Sequence, residues 1–389
     1  YRHNGKIADE GYASRVLKAG DQVKWFYTDD YTKERGYEGN WDNVNKSKAA
    51  DEEKPKTDTI VEKKTNTVTS KVEIKATVDS KSGEAKATVN SDKVKEQIAE
   101  LDKAAEKAKK ESEASVEKTL IINVESGKEA KSLETTLPKD VIEQVNNRVD
   151  NVVIATDKGT IKLDDKTIKS IVSVGSDVSI TISRKKADAQ VTAKLSNEEK
   201  LRVENRPVFE VAAKKGNENL PNIRGKVEIK IPYEKAGAAE QEQAVVLYKV
   251  KDDGSLEIMP KASLENGEIA FENNEINAKV VVGYNLKQFN DSKEHWAHGN
   301  ITFLAAREVI NGKSAGKFDP DGQVSRAEFV QILAKLSGEK LNKYATSKFG
   351  DVDENSWYSA AVAWAAANGI VSGVGKDEFA PNASISRQD

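Results

Sequence analysis

The chain is 389 residues long, enough for several domains, and carries 61 Lys+Arg against 64 Asp+Glu, a formal net charge of -3. That balance gives no basic footprint for nucleic acid and no polybasic face for an anionic membrane, and no stretch reaches the ~20 apolar residues of a membrane span. Cysteine is absent, which excludes disulfides, thiolate catalysis and zinc sites built on cysteine.

Residues 1–41 are rich in aromatic side chains, and Val23, Trp25 and Tyr27 share one face of an expected strand after a Gly20-Asp21 turn. The run GYASRVLKAGDQVKWFYTDDYTKERG, with its G-D-x-V-x-W-x-Y pattern, resembles the closing half of a transcobalamin-like β-grasp domain. That resemblance implies a role in adhesion or ligand presentation. Residues 42–68 are polar, charged and nearly free of apolar side chains, and read as a linker.

Residues 69–285 alternate short β-branched runs with turns: VEIKATV, EAKATV, KTLIINV, NVVIAT, GTIKL, DVSITI, KVEIKI, AVVLYKV and EIAF. A helix is expected from about Ser91, as its cap, to Ser115, with Val94, Ile98, Leu101 and Ala105 as its apolar stripe and a fraying C-terminal half. ATVNSDKVKEQI, TTLPKDVIEQV and IKLDDKTIKSI share one plan, a strand end followed by a capped short helix. The pattern predicts an α+β region followed by an antiparallel β portion from about 200, as one domain or two. The histidines are His3, His295 and His298, so residues 69–285 hold neither His nor Cys. Catalytic triads and His-ligated metal centres are excluded there. The same residues contain no Trp, and no glycine-rich phosphate loop follows a strand. This zone reads as a non-enzymatic, β-rich spacer without a cofactor.

Residues 286–389 contain an internal repeat. Trp296 and Trp357, Gly312 and Gly373, Phe318 and Phe379, Pro320 and Pro381, Ser325 and Ser386, and Arg326 and Arg387 are each separated by 61 positions. Phe289-Asn290-Asp291 matches Phe349-Gly350-Asp351 one residue out of step. Each unit reads as helix, loop, helix start, with first helices over about Trp296–Val309 and Trp357–Asn368. Ser325 and Glu328 form an S-x-x-E capping box before Phe329, Ile332, Leu333 and Leu336. FDPDGQVSRAE approaches a calcium loop, but Lys317 stands at the first ligand position, and no metal site is expected. His295 and His298 have no third ligand.

FND–HW–AAREVING–FDPDGQVSRAE and FGDV–WY–AAANGIVSG–FAPNASISRQD resemble the S-layer homology family, so the C-terminal region is expected to be all-α. The resemblance implies non-covalent anchoring of a secreted protein to the Gram-positive cell wall, through a secondary polysaccharide bearing a pyruvylated sugar. Other surface-layer proteins are further candidate partners. Arg326 and Arg387, at helix starts, suit the ketal carboxylate; Gly312 and Gly373 let a sugar approach the backbone. Trp296 and Trp357 serve as ring platforms or core anchors, and Ser325 and Glu328 as cap or ligand contact. Family members normally carry three repeats, and the chain begins at Tyr1 and ends within the second, so it reads as a piece of a longer protein. An anchored adhesin acting through residues 1–41, or an anchored polysaccharide-degrading enzyme with its catalytic domain upstream, are the alternatives.

Overall fold

The computed structural model describes residues 2–3, 6–7, 23–24, 59–62, 66–111, 115–127, 129–187, 189–220, 223–344 and 346–385. They fall in two compact units, residues 1–57 and 58–389. In the first unit, β1 (Arg2–His3) pairs antiparallel with β2 (Lys6–Ile7) and β3 (Val23–Lys24). These two-residue strands do not identify a β-grasp domain, and Trp25 and Tyr27, on which that expectation rested, lie outside the described residues.

The second unit opens with β4 (Thr59–Glu62), antiparallel to β5 (Thr67–Lys75). The expected linker therefore ends earlier than residue 68, because the short TIV run finds a sheet edge to complete. From β5 the chain crosses to a second sheet for β6 (Thr77–Val78) and β7 (Glu84–Thr88), and α1 (Ser91–Glu111) follows. The same plan then recurs. β8 (Glu117–Glu125) joins β5 in parallel, β9 (Ser132–Leu137) joins β7 in parallel, and α2 (Lys139–Val145) follows. β10 (Asn151–Thr156) adds in parallel to β8. β11 (Gly159–Asp164) returns antiparallel, and α3 (Asp165–Val172) leads to β12 (Val178–Lys186), beside β9. These are the three strand–helix units expected from the sequence.

Two short helices follow, α4 (Ala189–Thr192) and α5 (Asn197–Val203). The remaining strands are β13 (Pro207–Lys215), β14 (Glu218–Asn219), β15 (Arg224–Pro232), β16 (Val245–Val250), β17 (Leu256–Ile258), β18 (Ser263–Glu265), β19 (Glu268–Glu275) and β20 (Ala278–Tyr284). They are not a separate antiparallel portion. One sheet runs β18-β19-β15-β11-β10-β8-β5-β4 and the other β17-β16-β20-β13-β12-β9-β7-β6, with β14 beside β13, so early and late strands share both sheets.

Alternation explains how the sheets meet. Leu120, Ile122 and Val124 of β8 and Val227, Ile229 and Ile231 of β15 point inward from one sheet. Val178, Ile180 and Ile182 of β12 point inward from the other, and all join one continuous apolar core. Val94, Ile98, Leu101 and Ala105 of α1 pack into it as expected, but the helix stays docked as far as Ala108. Its cap is Asn90, whose Oδ1 accepts from Lys93 N at 3.0 Å; Ser91 Oγ instead accepts from Gln144 Nε2 of α2 at 2.7 Å. Both sheets of this α+β region thus share one apolar core.

Three helices follow: α6 (His298–Ala306), α7 (Arg326–Ser337) and α8 (Ser359–Ala367). The alanine-rich α8 buries Ala361, Val362, Trp364 and Ala365 against Val330 and Ala334 of α7, since small side chains let the helices approach closely. At its C-terminal end, α6 docks on the outer face of the second sheet. Ala306 is buried there with Val203, Val208, Tyr248 and Val281, and Asn285 Nδ2 donates to the Ala306 carbonyl at 2.6 Å. Next in sequence, Arg307 is only 3% exposed. Its guanidinium donates to the carbonyls of Gln243 (3.1 Å), Phe303 (3.2 Å), Val245 (3.2 Å) and Ala262 (3.0 Å). Burial pulls it down to about 10, which leaves it charged at neutral pH.

Candidate functional site

The loop after each first helix is held by the same two devices. Asp291 accepts from Phe318 N (2.9 and 3.1 Å) and Asp319 N (2.7 Å); Asp351 accepts from Phe379 N (2.8 Å) and Ala380 N (2.7 Å). The Phe318 and Asp319 amides hold the Asp291 carboxyl below the usual aspartate range. Phe289 and Phe318 lie 5.4 Å apart between ring centroids, and Phe349 and Phe379 5.5 Å. Gly312 and Gly373 belong to this packing and not to the helix ends. A Cβ on Gly312 would stand 2.5 Å from the Phe289 ring and 2.6 Å from the Lys317 carbonyl; one on Gly373 would stand 2.5 Å from the Glu378 carbonyl.

These loops shape a groove of about 510 Å³ bordered by the first repeat's loop, α7 and Trp357 of the second repeat. Gly312, Glu328 and Trp357 from the predicted site line it. So do Lys313, Gln331 and Lys335, which the sequence reading missed because no repeat partner or motif marks them. Lys313 Nζ lies 2.9 Å from Asp319 Oδ2, and Lys335 Nζ donates to the Glu308 carbonyl at 2.9 Å. Trp357 is 62% exposed and Trp296 85%, so neither is a core anchor. Trp296 does not line this groove.

Arg326 is placed differently from the expectation. Its Nε donates to the Phe379 carbonyl (2.9 Å) and Nη2 to the Ser372 carbonyl (2.9 Å), and its guanidinium carbon sits 4.8 Å from the Phe379 ring centroid. The helix N-terminus is also engaged: Arg326 N and Ala327 N donate to the carbonyls of Ala383 (2.9 Å) and Pro381 (3.0 Å). Arg326 thus ties α7 to the second repeat's loop. Ser325 and Glu328 form the expected reciprocal cap, which occupies the carboxylate. Arg387 and Ser386 lie outside the described residues, and Gly373 borders the second loop without lining the groove.

Two helix–loop–helix repeats thus border one groove, lined by both apolar and polar side chains, with the exposed Trp357 at its edge. The S-layer homology domain family matches residues 288–330 and 348–389. The chain is 33% identical over 129 residues to an amylopullulanase of Thermoanaerobacterium thermosulfurigenes (33% of this chain, 7% of the relative). It is 38% identical over 101 residues to the exoglucanase XynX of Acetivibrio thermocellus (26% and 9%). It is 33% identical over 93 residues to the S-layer protein EA1 of Bacillus anthracis (24% and 11%). The matched part therefore spans only 7% to 11% of these relatives' lengths. Residues 288–389 carry S-layer homology domains, which bind cell-wall polysaccharide and mark a protein associated with the wall at the cell surface. No described helix is long and apolar enough to cross a membrane.

Proposed function

We propose that this chain anchors a surface protein non-covalently to an acidic, pyruvylated wall polysaccharide, with the groove beside Trp357 as one glycan site. The exposed Trp357 ring over that groove carries the reading. An indole face gives a sugar ring a flat apolar platform, while Asn311, Gln323 and Gln331 border it with donors and acceptors. Lys313 and Lys335 supply positive charge for a ketal carboxylate, the role that the sequence suggested for Arg326. In this reading residues 59–285 are a non-catalytic stalk. Their lack of His and Cys, together with the continuous apolar core between the sheets, supports that. The relatives that match in this region are by name an amylopullulanase, an exoglucanase and an S-layer protein, so the anchor serves proteins of different kinds.

The test is co-sedimentation of the chain with purified wall sacculi, before and after removal of the secondary polysaccharide. Polysaccharide-dependent pelleting that falls in Trp357→Ala supports the proposal. Equal pelleting with stripped walls would refute it.

A further inference from the structure

Resting on that reading of the groove, we infer that Arg202 of α5 is a positioning residue for wall binding, acting through Glu308 on the groove cation Lys335. The stalk then helps to build the glycan site as well as carrying it.

Three contacts make the chain of action. Lys335 lines the groove, and its Nζ donates to the Glu308 carbonyl at 2.9 Å. That peptide is fixed from the other side, because Glu308 Oε1 accepts from Arg202 Nη1 of α5 at 2.8 Å. Arg202 is itself well held, with a side chain 15% exposed, a 2.5 Å bond to Glu198 Oε1 and a 3.4 Å bond to Tyr248 Oη. Glu308 also sits at φ +57°, a conformation that side chains rarely adopt, where the second repeat has Gly369 at φ +68°. A glycine would suffice for the turn. The carboxylate is the feature that reaches α5 of the β-sheet region, and among the described residues it is Ala306 of the first repeat that packs with the second sheet. Asn285 and Arg307 hold the junction at residues 306 and 307, and the bond from Arg202 extends that hold by one residue to Glu308, whose carbonyl Lys335 uses.

An ammonium held by one carbonyl keeps its other two donors for a ligand carboxylate and loses less freedom on binding. Releasing Glu308 returns that freedom to Lys335. The expected cost is roughly fivefold in affinity for an anionic glycan.

The experiment is a double-mutant cycle on the full chain by calorimetry. The probe is the soluble acidic polysaccharide released from Gram-positive walls, compared with the same polymer after mild-acid removal of its pyruvyl groups. Arg202→Met and Glu308→Gly should each weaken binding about fivefold. Each effect should vanish in a Lys335→Met background and shrink on the depyruvylated polymer, and Arg202→Lys should restore part of the loss. Glu308→Gly suits the backbone at that position, so a poorly folding Arg202→Met leaves the test intact. Wild-type affinity in both variants, or a loss that persists undiminished without Lys335, overturns the positioning role while leaving the groove assignment standing. No binding by wild type overturns both.

Discussion

Glu308 and Gly369 occupy the same turn of the two repeats, each just beyond the first helix and each at positive φ, +57° and +68°. Glycine reaches this region freely, whereas a side chain brings Cβ against the following carbonyl oxygen. The first repeat accepts that strain and gains a bond to Arg202 at 2.8 Å. The second repeat, with no described ion pair at this turn, follows the backbone preference.

The difference predicts unequal responses. Gly369→Ala should lower stability by about 1 kcal/mol through backbone strain alone, as no atom lies within 4 Å of the added Cβ. Glu308→Gly relieves comparable strain and gives up an ion pair whose carboxylate is half exposed, a pair worth at most ~1 kcal/mol. Urea denaturation of both variants checks this. A larger loss in Glu308→Gly than in Gly369→Ala would contradict it.

Arg307 predicts a much larger effect. Arg307→Met keeps an apolar stem in the junction but removes the donors to four carbonyls, of which those of Val245 and Ala262 belong to buried contacts. A buried carbonyl left without a donor costs about 1–3 kcal/mol, so the variant should lose about 3 kcal/mol in all. Chemical denaturation followed by circular dichroism measures the change. A loss under about 1 kcal/mol would mean that water replaces the guanidinium at the junction.

Asp291 gives a pH dependence with a definite sign. The amides of Phe318 and Asp319 lower its value in the folded protein, so the unfolded chain takes up the proton first as pH falls. Its contribution is complete above the ordinary aspartate value of 3.8 and disappears as pH drops through the lower folded value. The stability gap between wild type and Asp291→Asn should therefore be wide at pH 7 and close on acidification below that range. Melting curves of the two proteins across this span provide the check, and a gap that widens in acid would rule the linkage out.

The parts of this structure that local chemistry dictates were legible in the sequence. All nine β-branched runs contribute to strands, since alternation reports a half-buried surface directly. Their partners were not legible. β8 lies parallel to β5 across an excursion through the other sheet and a helix, and no periodicity records such pairing. The run AKVVVGY of β20 went unread, although it pairs with both β13 and β16. At the site, the spacing of 61 residues exposed the tryptophans and glycines but not their surroundings. Gly312 reads as room for a sugar beside the backbone until the Phe289 ring is seen against it. Arg326 reads as a free cation at a helix start until the segment Phe379–Ala383 returns to cover that start. Lys335 has no motif at all, although comparing Glu308 with Gly369 across the repeat would have marked its neighbour.

Arg326 and Trp357 separate the two things this module must do. Arg326 spends two donors and its flat face on the second repeat's loop, so Arg326→Ala leaves the Phe379 and Ser372 carbonyls without those donors and uncovers the Phe379 ring. Loss of about 2 kcal/mol is expected, by the usual cost of charge-assisted bonds and a cation–π contact. Trp357 is 62% exposed, and its ring meets only the edge of Tyr358 at 5.1 Å among the described aromatic pairs. Trp357→Ala should leave the melting temperature within a degree or two, as surface truncations do, yet weaken glycan binding about tenfold or more. Binding by Arg326→Ala, measured well below its own melting temperature, should stay close to wild type, because the guanidinium faces a loop and not the groove. The decisive comparison is the pair of ratios, stability against affinity, for the two variants on one wall preparation. If Arg326→Ala loses affinity at a temperature where it is fully folded while Trp357→Ala keeps it, the glycan contacts the arginine face of the repeat and the groove beside Trp357 is not its site.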